Sequence, residues 1–380
     1  MSKIDELIRQ LCSDGVEFVP LGNVLTVLRG KRLTKPELDE DAEYSVYHGG
    51  LEPIGKYSIN NREADTVMII NVGASAGTVG YSRKKFWSSD GCYCLSHNSK
   101  LNSRFVYYLL LTLQGVLMSR VRRAGIPTLD KKVIENLKIP VPPIEVQQEI
   151  VDILDKFTQL EAELEAELEA RKKQYEYYRN QLLTFDDAGG VLWTTLGELA
   201  MYSKARIQAT KLDNENYVGV DNILQNRQGK TTSSYVPNSG NLTQFDSGDV
   251  LIGNIRPYLK KIWQADKTGG TNGDVLVIKL TDKNVTPRYI YQVLASDAFF
   301  DYEMKHAKGA KMPRGDKASI MKYPVAVPSI SEQDRVVGIL DKFDKLVNDI
   351  SEGLPAELKA RRQQYEYYRN KLLTFQELPA

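Results

Sequence analysis

The 380-residue chain holds only three cysteines, Cys12, Cys92 and Cys94. That is too few for a disulfide-stapled secreted scaffold, and with no secretory leader it points to a reducing, cytoplasmic setting. Cys92-Tyr-Cys94 lacks the second ligand pair that a zinc site requires. The three histidines, His48, His97 and His306, are scattered and form no evident acid–base pair. No apolar run approaches the length of a membrane span, which excludes a helical membrane protein. Convincing catalytic motifs are missing as well. Gly50–Lys56 (GLEPIGK) has the spacing of a phosphate-cradling loop, but Tyr57 stands where Ser or Thr would hold magnesium. No helix-like segment follows it, so it reads as a turn between strands. Gly73–Gly80 (GASAGTVG) has the wrong spacing for a dinucleotide fingerprint and reads as a tight loop. Asn254-Ile-Arg-Pro-Tyr258 carries an extra Ile-Arg pair that separates it from the Asn-Pro-Pro-aromatic motif of amino-methyltransferases, and Glu357-Leu-Lys359 has no acidic partner for nuclease chemistry. No catalytic residue, metal or cofactor is expected.

What is present is a repeat. Leu154–Phe185 (LDKFTQLEAELEAELEARKKQYEYYRNQLLTF) places apolar residues at Leu154, Phe157, Leu160, Leu164, Leu168, Tyr175, Tyr178 and Leu182. Steps of three and four mark one helical seam. No Pro or Gly interrupts from Glu145 to Phe185, so the helix could reach about 60 Å at 1.5 Å per residue. A helix that long with a narrow seam needs a partner helix. Ala360–Phe375 (ARRQQYEYYRNKLLTF) supplies it, differing from Ala170–Phe185 only at the 172/362, 173/363 and 181/371 pairs. LDKF recurs at 154–157 and 340–343. Pro142 and Pro328, Gln147 and Gln333, and Leu154 and Leu340 share an offset of 186, whereas the two QYEYYRN copies lie 190 apart. The second module therefore carries four extra residues near Ser351–Pro355 (SEGLP), where a break is expected.

Around these helices the chain alternates. Ser2–Cys12 reads as a short amphipathic helix capped by Ser2, with Ile4, Leu7, Ile8 and Leu11 on one face. β-like runs broken by turns then fill 16–138 (VEFVPLGNVLTVL, EYSVYHGG, TVMIINVG, GTVGYSRKKFW), closing on a helical Arg104–Arg123. A second block at 191–323, after the DDAGG linker at 186–190, opens VLWTTLGEL where the first opens VEFVPLGNV. The expected organisation is an N-terminal helix (1–15), a first α/β domain (16–138), a helical spacer (139–190), a second α/β domain (191–323) and a C-terminal helical region (324–380). Net charge is +5 over 16–138 and +5 over 189–324, but −7 over 139–188. Two basic blocks on an acidic frame suit two nucleic-acid-binding units. The candidate DNA contacts are Arg29, Lys31 and Arg32; Arg83, Lys84 and Lys85; Arg122 and Arg123 beside Arg120; Arg256, Lys260 and Lys261; and Lys308, Lys311 and Arg314. Polar loops carrying Arg, Lys and Tyr can hold phosphates and read base edges. Tyr175 and Tyr178 fit the helical seam, whereas Tyr177, Arg179, Tyr367 and Arg369 lie off it and are candidates for binding a partner.

This arrangement resembles the specificity subunits of type I restriction-modification enzymes. The resemblance rests on IPVPPIEVQQEIVDILDKF and its looser copy YPVAVPSISEQDRVVGILDKF, on the LEAE repeats, and on the duplicated QYEYYRN helix. It covers nearly the whole chain. It implies an α+β fold in which two mixed α/β target-recognition domains are separated by an antiparallel coiled coil of two long helical regions, with an internal pseudo-two-fold repeat. It also implies that each domain reads one half of a split, asymmetric target on double-stranded DNA, while the helices dock methyltransferase subunits, two in number, which a restriction (motor-nuclease) subunit can join. Catalysis would belong to those partners. The competing classes are a single-chain methyltransferase or nuclease with fused recognition domains, which a catalytic motif would reveal, and a coiled-coil adaptor that never touches DNA, which salt-dependent DNA binding would exclude.

Overall fold

The computed structural model describes residues 3–185, 191–349 and 352–379. The Ser2 cap and the 186–190 linker lie outside them. The chain divides into two compact units, Met1–Ala162 with Ala360–Ala380, and Glu163–Lys359.

The first unit is built on an antiparallel sheet ordered Val27–Arg29, Cys92–Leu95, Thr66–Ile70 and Val79–Ser82. Thr66–Ile70 (TVMII) is buried along its whole length, as its continuous β-branched and apolar content requires. Its period of two splits the core. Val67 and Ile69 join Phe105, Val106 and Leu109 of the helix Ser103–Thr112. Met68 and Ile70 turn to Phe86, Cys92 and Cys94 on the other face. Cys92 and Cys94 are thus packing residues. The segment read as one helix to Arg123 stops at Ser119, and Arg122 pairs instead with Thr128 in a hairpin. The strands Pro53–Tyr57 and Cys92–Leu95 went unrecognised, the first because of its Pro and Gly. In the helix Lys3–Leu11, Ile4 is buried but Leu11 is 45% exposed, outside the face assigned to it.

The second unit repeats the plan. Its sheet runs Ala200–Tyr202, Val275–Leu280, Val250–Gly253 and Ile262–Gln264. Val250, Ile252, Leu276 and Ile278 face the helix Pro287–Leu294, and Leu251, Trp263, Val275 and Val277 face the other way.

One continuous helix spans Ile144–Leu183, followed late in the chain by Ile330–Asn348 and Leu354–Leu372. The expected break falls between the last two. There Gly353 donates to the Asp349 carbonyl, and a Cβ at that position would stand 2.5 Å from the Lys345 carbonyl oxygen. Within the first unit Phe157 packs on Tyr365 and Tyr368, with ring centroids 6.4 and 5.6 Å apart, and Arg362 bonds Glu161 at 2.6 Å. Those pairs run antiparallel. Within the second unit Phe343 stacks on Tyr175 and Tyr178 at 5.9 and 5.4 Å. Each LDKF copy therefore meets the QYEYYRN of the other copy. Leu168 is 8% exposed but Leu160 is 50% exposed. Steps of four residues turn about 40° beyond a full turn, so a run of three leucines drifts off a single seam.

Each sheet domain is seated on its helix by a buried glutamine. Gln147 accepts from the Asn102 N–H at 2.9 Å and donates to the carbonyls of Lys100 (2.9 Å) and Pro142 (2.7 Å). Gln333 accepts from Thr286 N–H at 2.9 Å and donates to the carbonyls of Asn284 (2.8 Å) and Pro328 (2.9 Å). Beside them Arg104 bonds Asp155 at 2.8 Å, and Arg288 bonds Asp341 at the same distance. Among the described residues no helix is long and apolar enough to cross a membrane.

Candidate nucleic-acid interface

In each unit a short hairpin follows the second core helix. Arg122 and Thr128 exchange backbone hydrogen bonds at 2.9 and 3.0 Å, and Lys308 and Arg314 do so at 2.9 Å each way. The two hairpins share the offset of 186. Both end on an aspartate that caps the next helix, where Asp130 accepts from Lys132 N–H and Asp316 from Ser319 N–H. Both rest on a buried asparagine, with Leu129 N–H donating to the Asn71 carbonyl (2.9 Å) and Gly315 N–H to the Asn254 carbonyl (3.3 Å). The exposed apolar residues Ile126 and Met312 occupy matching places.

In the second unit this geometry gathers four of the candidate cations. Arg256, held at φ +54°, donates its N–H to the Pro313 carbonyl at 2.7 Å, so the loop carrying it abuts the hairpin of Lys308, Lys311 and Arg314. All four side chains are exposed. Lys308 pairs with Asp316 at 2.6 Å, which holds that carboxyl well below the usual range, and Arg314 pairs with Asp274 at 2.9 Å. Exposed pairs of this kind contribute little and can be exchanged for phosphates. Lys260 and Lys261 are not brought into the group. Lys260 binds Asp297 at 2.6 Å, and half-buried Lys261 donates to the Val220 carbonyl, with desolvation lowering its pKa. Both lysines are thus engaged within the second unit and stand apart from the four cations at the hairpin.

In the first unit Arg122 and Arg123 are exposed on the hairpin. Arg29, Lys31 and Arg32 are exposed on a loop pinned by Lys31 N–H to the Ser88 carbonyl (2.9 Å) and by Trp87 Nε1 to the Lys31 carbonyl (2.8 Å). A chain of contacts joins this loop to the hairpin. Ser89 Oγ lies 3.2 Å from His48 Nδ1, Gly91 lies against His48 and Val72, and Gly73 N–H donates to the Pro127 carbonyl at 2.9 Å. Lys84 is exposed, whereas Arg83 leans on Asp155 at 3.6 Å and Lys85 on Glu63 at 3.0 Å.

Of the four residues read as partner-facing, Tyr177 and Tyr367 are 60% and 61% exposed, and Arg369 is half-buried over the Tyr365 ring. Arg179 does not face outward. It is 2% exposed, lies 4.1 Å over the Tyr175 ring, and donates to the Ala295 carbonyl at 3.1 Å. The helix seam gave no sign that Pro287–Leu294 would cover it. Sequence reasoning also missed Asn71, Asn254, Asp130 and Asp316. The two aspartates each stand three residues after the matching prolines, Pro127 and Pro313, whereas the asparagines lie 56 and 59 residues before them and carried no such signal.

Residues 13–170 and 191–360 both match the family model of the type I restriction modification DNA specificity domain. The chain belongs to that family. It is 33% identical over 297 residues to the type I restriction enzyme EcoR124I/EcoR124II specificity subunit of Escherichia coli, covering 73% of this chain and 72% of the relative. A chain named as a type I restriction enzyme specificity subunit in Haemophilus influenzae is 29% identical over 388 residues, covering 95% and 96%. The crystal structure of the type I restriction-modification S subunit of M. genitalium shares the fold, with a TM-score of 0.62 at 17% identity, over 94% of this chain and 96% of that one. The hairpins Arg122–Thr128 and Lys308–Arg314 fall one in each of the two matched ranges.

Proposed function

We propose that this specificity subunit reads an asymmetric, bipartite target on double-stranded DNA, one half-site per recognition domain (16–138 and 191–323). The observation that carries this reading is the duplicated hairpin, which presents different cations in each copy: Arg122 and Arg123 with Arg29, Lys31 and Arg32 in the first, Arg256, Lys308, Lys311 and Arg314 in the second. One scaffold with two different reading surfaces suits two unlike half-sites. Lys84 and Arg83 extend the first surface toward the phosphates. The segments 1–15, 139–190 and 324–380 form the frame. Tyr177 and Tyr367, large aromatics left exposed at equivalent positions, support the docking of two methyltransferase subunits, one per copy of the repeat, with Arg369 at the rim. A restriction subunit joins through those partners. The chain itself is non-catalytic, binds no cofactor and works in the cytoplasm. Anisotropy titrations of the methyltransferase-bound complex test this reading. Affinity for target DNA should fall steeply and linearly in log–log form with salt, and should exceed that for scrambled DNA. Salt-independent or absent binding would refute it.

A further inference from the structure

Beneath the hairpin of the second unit lies a carboxyl group with no counter-charge among the described residues. Glu303 is 1% exposed and Asn254 is 5% exposed. Among the described residues, both carboxyl oxygens of Glu303 and the Oδ1 of Asn254 lack a hydrogen-bond partner. They crowd one point. A Cβ placed on Gly315 would run into Glu303 Oε1 and come within 2.9 Å of Asn254 Oδ1. As oriented, Glu303 Oε1 and Asn254 Oδ1 are both acceptors, and a proton on the carboxyl supplies the donor between them.

Among the described residues, the groups packed around this spot supply no cation. Tyr202, from the strand Ala200–Tyr202, feels the charges of Glu303 and Asp316, and its hydroxyl donates to the Lys317 carbonyl. Arg314 is committed to Asp274 and Lys308 to Asp316. On the helix that carries Glu303, His306 Nδ1 lies 2.8 Å from the Tyr302 carbonyl. The first head solves the same place differently. The residues 186 earlier are Leu117 and Leu129, both fully buried, so a leucine side chain fills there what Gly315 leaves to Glu303 here.

We propose that Glu303 is a positioning residue of the second head, a neutral acid whose O–H donates to the side-chain carbonyl of Asn254. It thereby fixes the Arg256 loop beneath the hairpin of Lys308, Lys311 and Arg314. Burial pushes its carboxyl up to about 8, in keeping with that geometry. Ionisation would set a buried charge against the Asn254 carbonyl and loosen the second reading surface, leaving the first head untouched. This rests on the DNA-reading function proposed above.

The test has two arms. In the full chain, the Glu303 carboxyl is titrated by carbon NMR, and the thermal midpoint is followed from pH 5.5 to 9 in wild type and Glu303→Gln. Because the native state holds a proton that the unfolded state releases near 4.5, wild-type stability should fall as pH rises towards 8 and then level off. The glutamine variant keeps a donor for Asn254 and should lack that decline. In the methyltransferase-bound complex, affinity is measured for duplexes altered in one half-site at a time. Above pH 8, wild type should lose discrimination at the second half-site by up to about tenfold per pH unit, while Glu303→Gln holds it and the first half-site is unmoved in both. A carboxyl that titrates near its ordinary value, with Glu303→Gln tracking wild type, overturns the proposal. So does a titration near 8 with unchanged half-site discrimination. Wild-type complex that binds no DNA at any pH sinks the DNA reading as well, which the NMR arm separates from the state of the proton.

Discussion

Replacing Gln147 with leucine removes three hydrogen bonds from a fully buried site while keeping the side chain's volume. The Asn102 N–H loses its acceptor, and the Lys100 and Pro142 carbonyls lose their donor. A buried polar group left unpaired costs about 1–3 kcal/mol, and carbonyls suffer less than N–H groups because nearby donors can shift toward them. Added apolar contact offsets part of the loss, so a net cost of about 3 kcal/mol is expected. That corresponds to a fall of roughly 6–12 °C in the melting transition of a unit this size. It also implies about a 100-fold loss of exchange protection at the Asn102 amide if local opening follows the same energy. Calorimetry and hydrogen exchange measure both. Gln333→Leu should do the same to the second unit, where Thr286 N–H is the stranded donor. A Gln147→Leu loss below about 1 kcal/mol with Asn102 still protected would refute the reasoning, because the three bonds would then be ornament.

The exposed tyrosines give a second outcome: Tyr177→Ala with Tyr367→Ala should leave the melting point unchanged and weaken methyltransferase co-purification, whereas wild-type stoichiometry and affinity would count against it. Arg314→Ala should relax discrimination at one position of the second half-site by about 1–3 kcal/mol, while Lys311→Ala should weaken all sequences alike, as base and phosphate contacts differ. Deleting Leu164–Glu167 shortens the central helix by about 6 Å and turns it only about 40° past a full turn. Methylation mapping should then show a non-specific spacer shortened by one or two base pairs, at about 3.4 Å each, with both half-sites intact; an active enzyme with an unchanged spacer speaks against a ruler.

Much of this architecture was legible in the sequence because it is written in periodicity and repetition. The unbroken run from Glu145 yields the helix Ile144–Leu183, and the four extra residues yield its break before Leu354. TVMIINVG yields a buried strand because a β-branched apolar run has little other use. The reading surfaces were only partly legible. The hairpins Arg122–Thr128 and Lys308–Arg314 share an alanine and a proline at matching places, too short a likeness to announce the backbone pairing that makes them equivalent. Lys260 pairs with Asp297, 37 residues away, which no local pattern announces. Arg179 was misplaced because one helix's seam cannot reveal that another helix covers its far side. Long-range partners decide which charges remain free, and no local pattern encodes them.

The central claim is that two recognition domains read separate halves of one target. Exchanging residues 16–138 for the corresponding domain of another type I specificity subunit, then mapping genomic methylation by long-read sequencing, tests it directly. The account predicts a new sequence in one half of the modified site, with the other half and the spacer unchanged. Simultaneous change in both halves would contradict it.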